Sequence, residues 1–348
     1  MTPPVPALLR ADNFTPMART PWGGTRIASQ YKSAYLGAAP QTVVGESWEV
    51  SIEPDFPARL ADGSSLRDYI AAAPGDVLGR EHARGRQGTA LLVKLLDTAQ
   101  PLSVQIHPSD DYAGLLPGEC GKPESWYVVE REPGAGLYLG FHPGVEDYDV
   151  REALEQGRSL EPLMRFFQVE PGDFFVIDAG MPHAIGAGIT LVEPQHVLPE
   201  KRGVTYRYWD WNRRYDAAGL PSPTGAPRPL HMEDALAVTD WARFQRPGFV
   251  DHIRVRPQAP DLTGAPNLAV LAGPSGLPNS FLAVSRLCGS GRAELPYRDC
   301  LQSITVLEGS ASIAGVEVTR GRSAIVPACA ADLPLALSGA HVIVCAVA

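Results

Sequence analysis

The chain has little cysteine, no excess of positive charge and no long apolar run, and each shortage narrows what it can be. Its five cysteines, Cys120, Cys288, Cys300, Cys329 and Cys345, form no Cys-x-x-Cys pair and keep no regular spacing. No disulfide framework is indicated, and reduced, mostly structural thiols in a cytoplasmic protein are expected. The formal net charge of -9 argues against non-specific binding to nucleic acid. An anionic small substrate would then need a local basic cluster. No apolar run approaches membrane-spanning length. The opening Met1-Thr2-Pro3-Pro4-Val5 has no basic segment followed by an apolar one, so neither a secretory signal nor a membrane partner is expected. Charged residues at 20% and hydrophobic ones at 45% leave an ordinary globular balance without wholesale disorder.

What the chain does have is turn residues, with 34 glycines and 33 prolines, as many short strands joined by tight turns would need. Strand-like runs at Val43–Ser51, Thr89–Leu96, Leu102–His107, Ser125–Glu130, Phe174–Ile177 and Thr190–Glu193 each close on Gly, Pro or Asp. Helical patterning is confined to Ser65–Ala72, Val150–Gln156 and Met232–Val238. The expected class is mainly β, with barrels or sandwiches and a few short helices. At 348 residues the chain should divide in two. Residues 1–228 would form an N-terminal region with the equipped barrel, 229–265 a helical connector and 266–348 a second β domain. The segment from Val169 to Ala179 is echoed by Val318 to Ala328, where a Gly-bearing turn leads into an apolar strand. Eleven residues after Gly172 comes His183, but eleven after Gly321 comes Asp332, so the second unit reads as a stripped relative without metal ligands.

The segment from Leu102 to Pro108 carries the most chemistry. In a strand, Ser103, Gln105 and His107 share one face and Val104 and Ile106 the other. Buried polar side chains need partners, and a metal ion inside a barrel would supply one. Glu124, opening the next strand, and His183, after the loop Asp178-Ala179-Gly180-Met181-Pro182, complete a set of two imidazoles, a carboxylate and an amide oxygen. That set suits one Zn2+, and manganese, iron or cobalt also accept mixed N/O ligands. Lys94 stands among apolar neighbours, where an unpaired ammonium is expensive. With Ser103 and Lys122 it could cradle a phosphate. Thr205, Arg207 and Trp209 share a strand face, placing Arg207 among aromatic rings to bind an oxyanion or merely to stack. Glu193, on a buried strand, is either a proton-transfer group or the partner of Arg207.

Trp22-Gly23-Gly24, Gly45 to Ser51, Leu95 to Pro108, Gly121 to Trp126, Pro182 to Gly186 and Thr205-Tyr206-Arg207 occur in that order. This ordered set resembles the short bacterial form of the class I mannose-6-phosphate isomerases, cupin-fold metalloenzymes. The resemblance runs from about Trp22 to Arg213 and continues more weakly beyond. It implies two cupin-type (jelly-roll) barrels, metal ligands at Gln105, His107, Glu124 and His183, phosphate contacts at Lys94, Ser103 and Lys122, and an active-site arginine at Arg207. The implied reaction interconverts mannose 6-phosphate and fructose 6-phosphate through a cis-enediolate, with Glu193 or a lysine such as Lys122 as the base. A sugar phosphate would be the partner, and the chain a monomer or homodimer. Two departures flank the pocket: the stretch Gln195 to Val204 replaces a shorter link, and Asn212 stands where Asp is common. They keep open a second reading, a sugar-phosphate-binding cupin without turnover. A third, an iron cupin oxygenase, leaves the lysines unexplained.

Overall fold

A computed structural model describes residues 3–37 and 41–348 of the chain. Strands dominate it. The runs read from the sequence are strands Glu46–Val50, Leu91–Thr98, Val104–Ile106, Glu124–Arg131, Phe174–Ile177 and Ile189–His196. The last is longer than its apolar centre suggests, because Pro194, Gln195 and His196 stay in register opposite Val93, Leu92 and Leu91.

Three of these strands are buried on both faces, which is why they read as nearly continuous apolar runs. Leu91–Thr98 lies between Glu46–Val50 and Ile189–His196 in a six-stranded sheet. That sheet continues through Glu124–Arg131 and Phe174–Ile177 to Arg254–Val255. One face, carrying Val93, Leu95, Tyr127 and Val192, packs in one cluster with Leu271, Val284, Ile343 and other residues of the C-terminal sheet. The opposite face, with Leu96, Trp126 and Leu191, joins Leu137, Leu139 and Ile185 of a second sheet. This second sheet has five strands, in the order Tyr206–Trp209, Val104–Ile106, His183–Ile185, Gly136–Phe141 and Met164–Gln168. The two sheets face each other as the predicted jelly-roll barrel, and the polar stripe opens into the space between them.

The third sheet has seven strands. Its long members Leu282–Ala293, Gln302–Ile313 and Leu335–Val347 enclose an apolar core of their own. The short strand Ala7–Leu8 pairs into this sheet against Ala324 and Ile325. The sequence echo has a structural counterpart. Gly172 and Gly321 have φ of 93° and 78°, and each turn feeds a strand, Phe174–Ile177 and Ser323–Val326.

Helices are short. Leu66–Ala72 and Met232–Ala237 fall where the pattern predicts. Asp147–Glu155 starts three residues earlier than read, because the Asp149 carboxylate accepts the Glu146 N–H at 2.9 Å and caps the turn. A π-helical turn, Ile27–Tyr31, and helices of four or five residues at Ser33–Leu36, Pro74–Leu78, Arg80–Ala83 and Trp241–Phe244 went unread. They are too short to show a helical period. No helix among the described residues is long and apolar enough to cross a membrane. All five cysteines are free, and only Cys329 is exposed.

Candidate metal centre

The two facing sheets bring the polar stripe and the carboxylates together. On the five-stranded sheet Gln105 pairs with His183 on one side and Arg207 on the other, while His107 follows directly after Val104–Ile106. On the six-stranded sheet Glu124 lies opposite Gln195, and Glu193 opposite Lys94. Period-two alternation aims Glu124, Glu193, Gln195 and Lys94 at the gap and Tyr127 and Val192 away from it.

His107, Glu124 and His183 are all buried, with one ligand atom of each within 4.8 Å of the others. The protonation pattern of this trio is informative. His107 Nδ1 is 2.9 Å from the Val204 carbonyl and His183 Nδ1 is 2.8 Å from that of Met181. Carbonyls only accept, so each Nδ1 carries the proton and each Nε2 presents a lone pair. Burial pulls both imidazole pKa values down, that of His183 to about 3, so both rings are neutral near pH 7. Burial opposes ionisation of Glu124, but His107, when protonated in acid, and Lys122 outweigh it and hold the carboxyl well below its usual range. Lone pairs therefore face a carboxylate: His107 Nε2 is 3.3 Å from Glu124 Oε2, and His183 Nε2 is 3.4 Å from Oε1. His107 Nε2 and Glu124 Oε1 have no hydrogen-bond partner. Acceptors turned on each other in a dry site need a cation between them, and this donor set fits a divalent metal. The Gln105 amide nitrogen is 3.5 Å from His183 Nε2, and its oxygen takes the Ser103 hydroxyl proton at 3.2 Å. A half-turn of the amide brings its oxygen to the same group and gives Ser103 an N–H instead.

A cavity of about 560 Å³ opens beside the trio, with Lys94, Ser103, Gln105, Lys122, Glu193 and Arg207 in its wall. Lys94 is compensated: its ammonium is 3.3 Å from Glu193, 4.0 Å from Glu46 and 4.7 Å from the centre of the Trp48 ring. Burial works against its charge, but these carboxylates outweigh it and raise the pKa. Lys122 stands 3.8 Å from Glu124 Oε2, and burial lowers its pKa. Glu193 accepts the Trp126 indole N–H at 3.0 Å, and burial, reinforced by Glu124, pushes its carboxyl up to about 7.

Arg207 differs from expectation. Its Nη1 donates to the Pro229 carbonyl at 2.9 Å and its Nε has no partner. Among the described residues it stacks on no aromatic ring and pairs with no carboxylate. The register shifts between Arg207 and Trp209, and this irregularity breaks the shared face that strict alternation predicts. The carboxylate nearby, Asp210, is bonded to Arg213 and Arg228 instead. Burial, then Arg228, brings the Arg207 pKa down to about 10.

Several cavity residues escaped the sequence reading. Gln195 was seen only as the start of an altered link, although it is fully buried in the wall. His231, whose Nδ1 accepts the Arg207 backbone N–H at 3.2 Å, lies in a stretch read as connector. Glu46 had a faint signal, a carboxylate on the strand face that alternation assigns to Trp48.

Three comparisons bear on the site. Residues 14–132 match the model of the phosphomannose isomerase type I catalytic domain. The chain is 30% identical over 298 residues to a Bacillus subtilis protein named "Probable mannose-6-phosphate isomerase GmuF", covering 84% of each. It is 32% identical over 222 residues to the mannose-6-phosphate isomerase of Streptococcus mutans, covering 62% of this chain and 63% of that one. Its fold is that of the crystal structure of a mannose 6-phosphate isomerase from Bacillus subtilis, with a TM-score of 0.72, 24% identity, and coverage of 98% of this chain and 99% of that one.

Proposed function

The chain belongs to the type I phosphomannose isomerases, and from that premise we propose how its residues carry the interconversion of mannose 6-phosphate and fructose 6-phosphate. It is a metal-dependent aldose–ketose isomerase with a sugar phosphate as substrate. The observation that carries the residue assignment is the pair of unprotonated Nε2 atoms turned on Glu124. His107, Glu124 and His183 would hold the metal, Gln105 would complete the set through its amide oxygen, and the two-imidazole, two-oxygen donor set favours zinc. When bound, the metal supplies a Lewis acid that draws electron density from substrate oxygens.

The remaining roles fall to side chains in the cavity wall. Glu193 takes the proton from C2 of mannose 6-phosphate as the C1 carbonyl oxygen becomes the enediolate oxygen, and the same carboxyl returns that proton to C1 while the C2 hydroxyl proton passes to O1, leaving the C2 carbonyl of fructose 6-phosphate. A carboxyl with a pKa of about 7 suits both directions. Trp126 and Lys94 hold that carboxylate in place. Lys122 and the carboxylate-free Arg207 stabilise negative charge on the substrate oxygens. Lys94, Ser103 and Lys122 form the phosphate side. Because Glu193 and Glu46 already share the charge of Lys94, Lys122 would carry more of that contact. The division at 228 and 265 stays part of this reading, with the C-terminal unit as a buttress, since the cavity wall takes no residue beyond Asp234.

A non-catalytic sugar-phosphate binder would need no buried carboxyl poised near neutrality, and the oxygenase reading leaves the lysines idle. The test is His107→Ala. It should lose both bound metal, read by elemental analysis, and formation of fructose 6-phosphate from mannose 6-phosphate. A metal-free variant with full activity would sink the assignment.

A further inference from the structure

We propose that Gln195 is the positioning residue that aims the Glu124 carboxylate at the metal, an inference that rests on the metal centre described above. Gln195 is 0% exposed, and a buried amide is costly unless its polar atoms are bonded. Its strand already satisfies the backbone, so the side chain accounts for itself separately. Nε2 donates to Glu124 Oε2 at 2.5 Å, a charge-assisted bond, while Oε1 has no partner. The opposite amide orientation would set oxygen against carboxylate, so the nitrogen faces Glu124. Among the described residues Gln195 is the one side chain that hydrogen-bonds Glu124. The cross-strand pairing of Gln195 with Glu124 holds the two at this spacing. The donor fixes Oε2 and leaves Oε1, itself without a hydrogen bond, turned toward His183 Nε2 at 3.4 Å. A carboxylate bonded on one oxygen and free on the other is already oriented for a cation, and removal of such an outer partner typically weakens metal binding 10–100-fold.

The experiment measures zinc affinity by competition with a chelating dye, in the full chain and at constant pH. Gln195→Met keeps the volume and removes the donor, and should weaken zinc binding roughly 10–100-fold. The decisive readout is a double-mutant cycle. Because Gln195 acts through Glu124, the same substitution made beside Glu124→Gln should cost less than threefold further. Unchanged affinity in the single variant, or an equal loss in both backgrounds, overturns the proposal. If the methionine variant does not fold, Gln195→Asn, one methylene short of Glu124, carries the same comparison. A wild-type chain that takes up no zinc defeats both the metal centre and this inference. A chain that binds zinc through this cycle but leaves mannose 6-phosphate unchanged defeats the catalytic reading alone.

Discussion

Glu193→Gln separates a catalytic carboxylate from a mere counter-ion, because the two roles predict opposite changes in stability. The carboxyl is 3% exposed, and an amide of the same shape can still accept the Trp126 indole proton through its oxygen. The folded protein raises the Glu193 pKa from 4.5 to about 7, so ionising this group in the fold costs about 3 kcal/mol at roughly 1.4 kcal/mol per pH unit. The sign follows from linkage: between pH 4.5 and 7 the folded state binds more protons than the unfolded, so this group's contribution falls as pH rises. The glutamine variant, behaving like the protonated carboxyl, should escape that fall. In metal-free protein it should match wild type below pH 4.5 and exceed it by up to about 3 kcal/mol above pH 7, measured by urea unfolding at several pH values. Activity should move the other way. Losing a general base typically costs 10²–10⁴-fold in kcat, with metal content unchanged and KM within a few-fold. Deuterium uptake from solvent into recovered substrate should fall in parallel, because the same group moves the carbon-bound proton. If the variant is less stable than wild type at pH 8, Glu193 serves chiefly to neutralise Lys94. If kcat stays within tenfold of wild type, the base is elsewhere.

Three other outcomes follow from the structure. Lys122→Ala should weaken binding of mannose 6-phosphate more than of free mannose, and equal losses would remove Lys122 from the phosphate side. Its zinc affinity should not fall, because the substitution removes a cation 3.8 Å from Glu124. His341 is buried at 2.9 Å from the Tyr127 hydroxyl, and burial, then Arg286, holds its pKa down at about 4. The unfolded chain therefore takes up a proton that the fold refuses between pH 6.5 and 4, and stability falls as pH drops through that window. His341→Gln should remove up to about 3 kcal/mol of this acid loss, and an unchanged acid profile by urea unfolding would show that another group controls it. Lys32 and Glu49 form a fully buried ion pair at 2.7 Å. Lys32→Met should destabilise by about 3–5 kcal/mol, because Glu49 is left buried without its partner, whereas a loss below 1 kcal/mol in urea unfolding would mean that the ion pair contributes little to stability.

The β class, the main strands and three helices were legible because each left a helical period or a bounded apolar run of at least four residues. What escaped depended on contacts made far along the chain. Nothing near Ala7 and Leu8 announces that they pair with Ile325 and Ala324, since the partner strand lies more than 300 residues away. The bulge after Arg207 escaped for a related reason. Alternation is a rule about undisturbed strands, and the sequence Tyr206-Arg207-Tyr208-Trp209 does not show where pairing with Val104 slips.

The trio His107, Glu124 and His183, which the fold brings together, stood out in the sequence because its members are costly to bury and stand on or beside strand-like segments. Lys94 breaks an otherwise hydrophobic run and His107 belongs to a polar stripe on a strand whose other face is apolar, and such local contradictions are what a site leaves in a sequence. Gln195 leaves a fainter mark. A neutral amide at the end of a strand is an ordinary residue, and its role exists only in relation to Glu124, 71 residues earlier. The same holds for His231, which reaches the cavity through a backbone bond with Arg207. Candidate ligands and charged residues are thus readable one at a time, while residues that act only through a partner become visible only as pairs. The stretch from Gln195 to Val204 illustrates both. As sequence it is a departure that loosens the assignment of the sugar. In the fold its first residue donates a hydrogen bond to Glu124, and its last supplies the carbonyl that fixes the His107 tautomer at 2.9 Å. The departure therefore meets the candidate metal centre at both ends, and Gln195, Arg202, Gly203 and Val204 all stand in the cavity wall, where they can alter sugar preference.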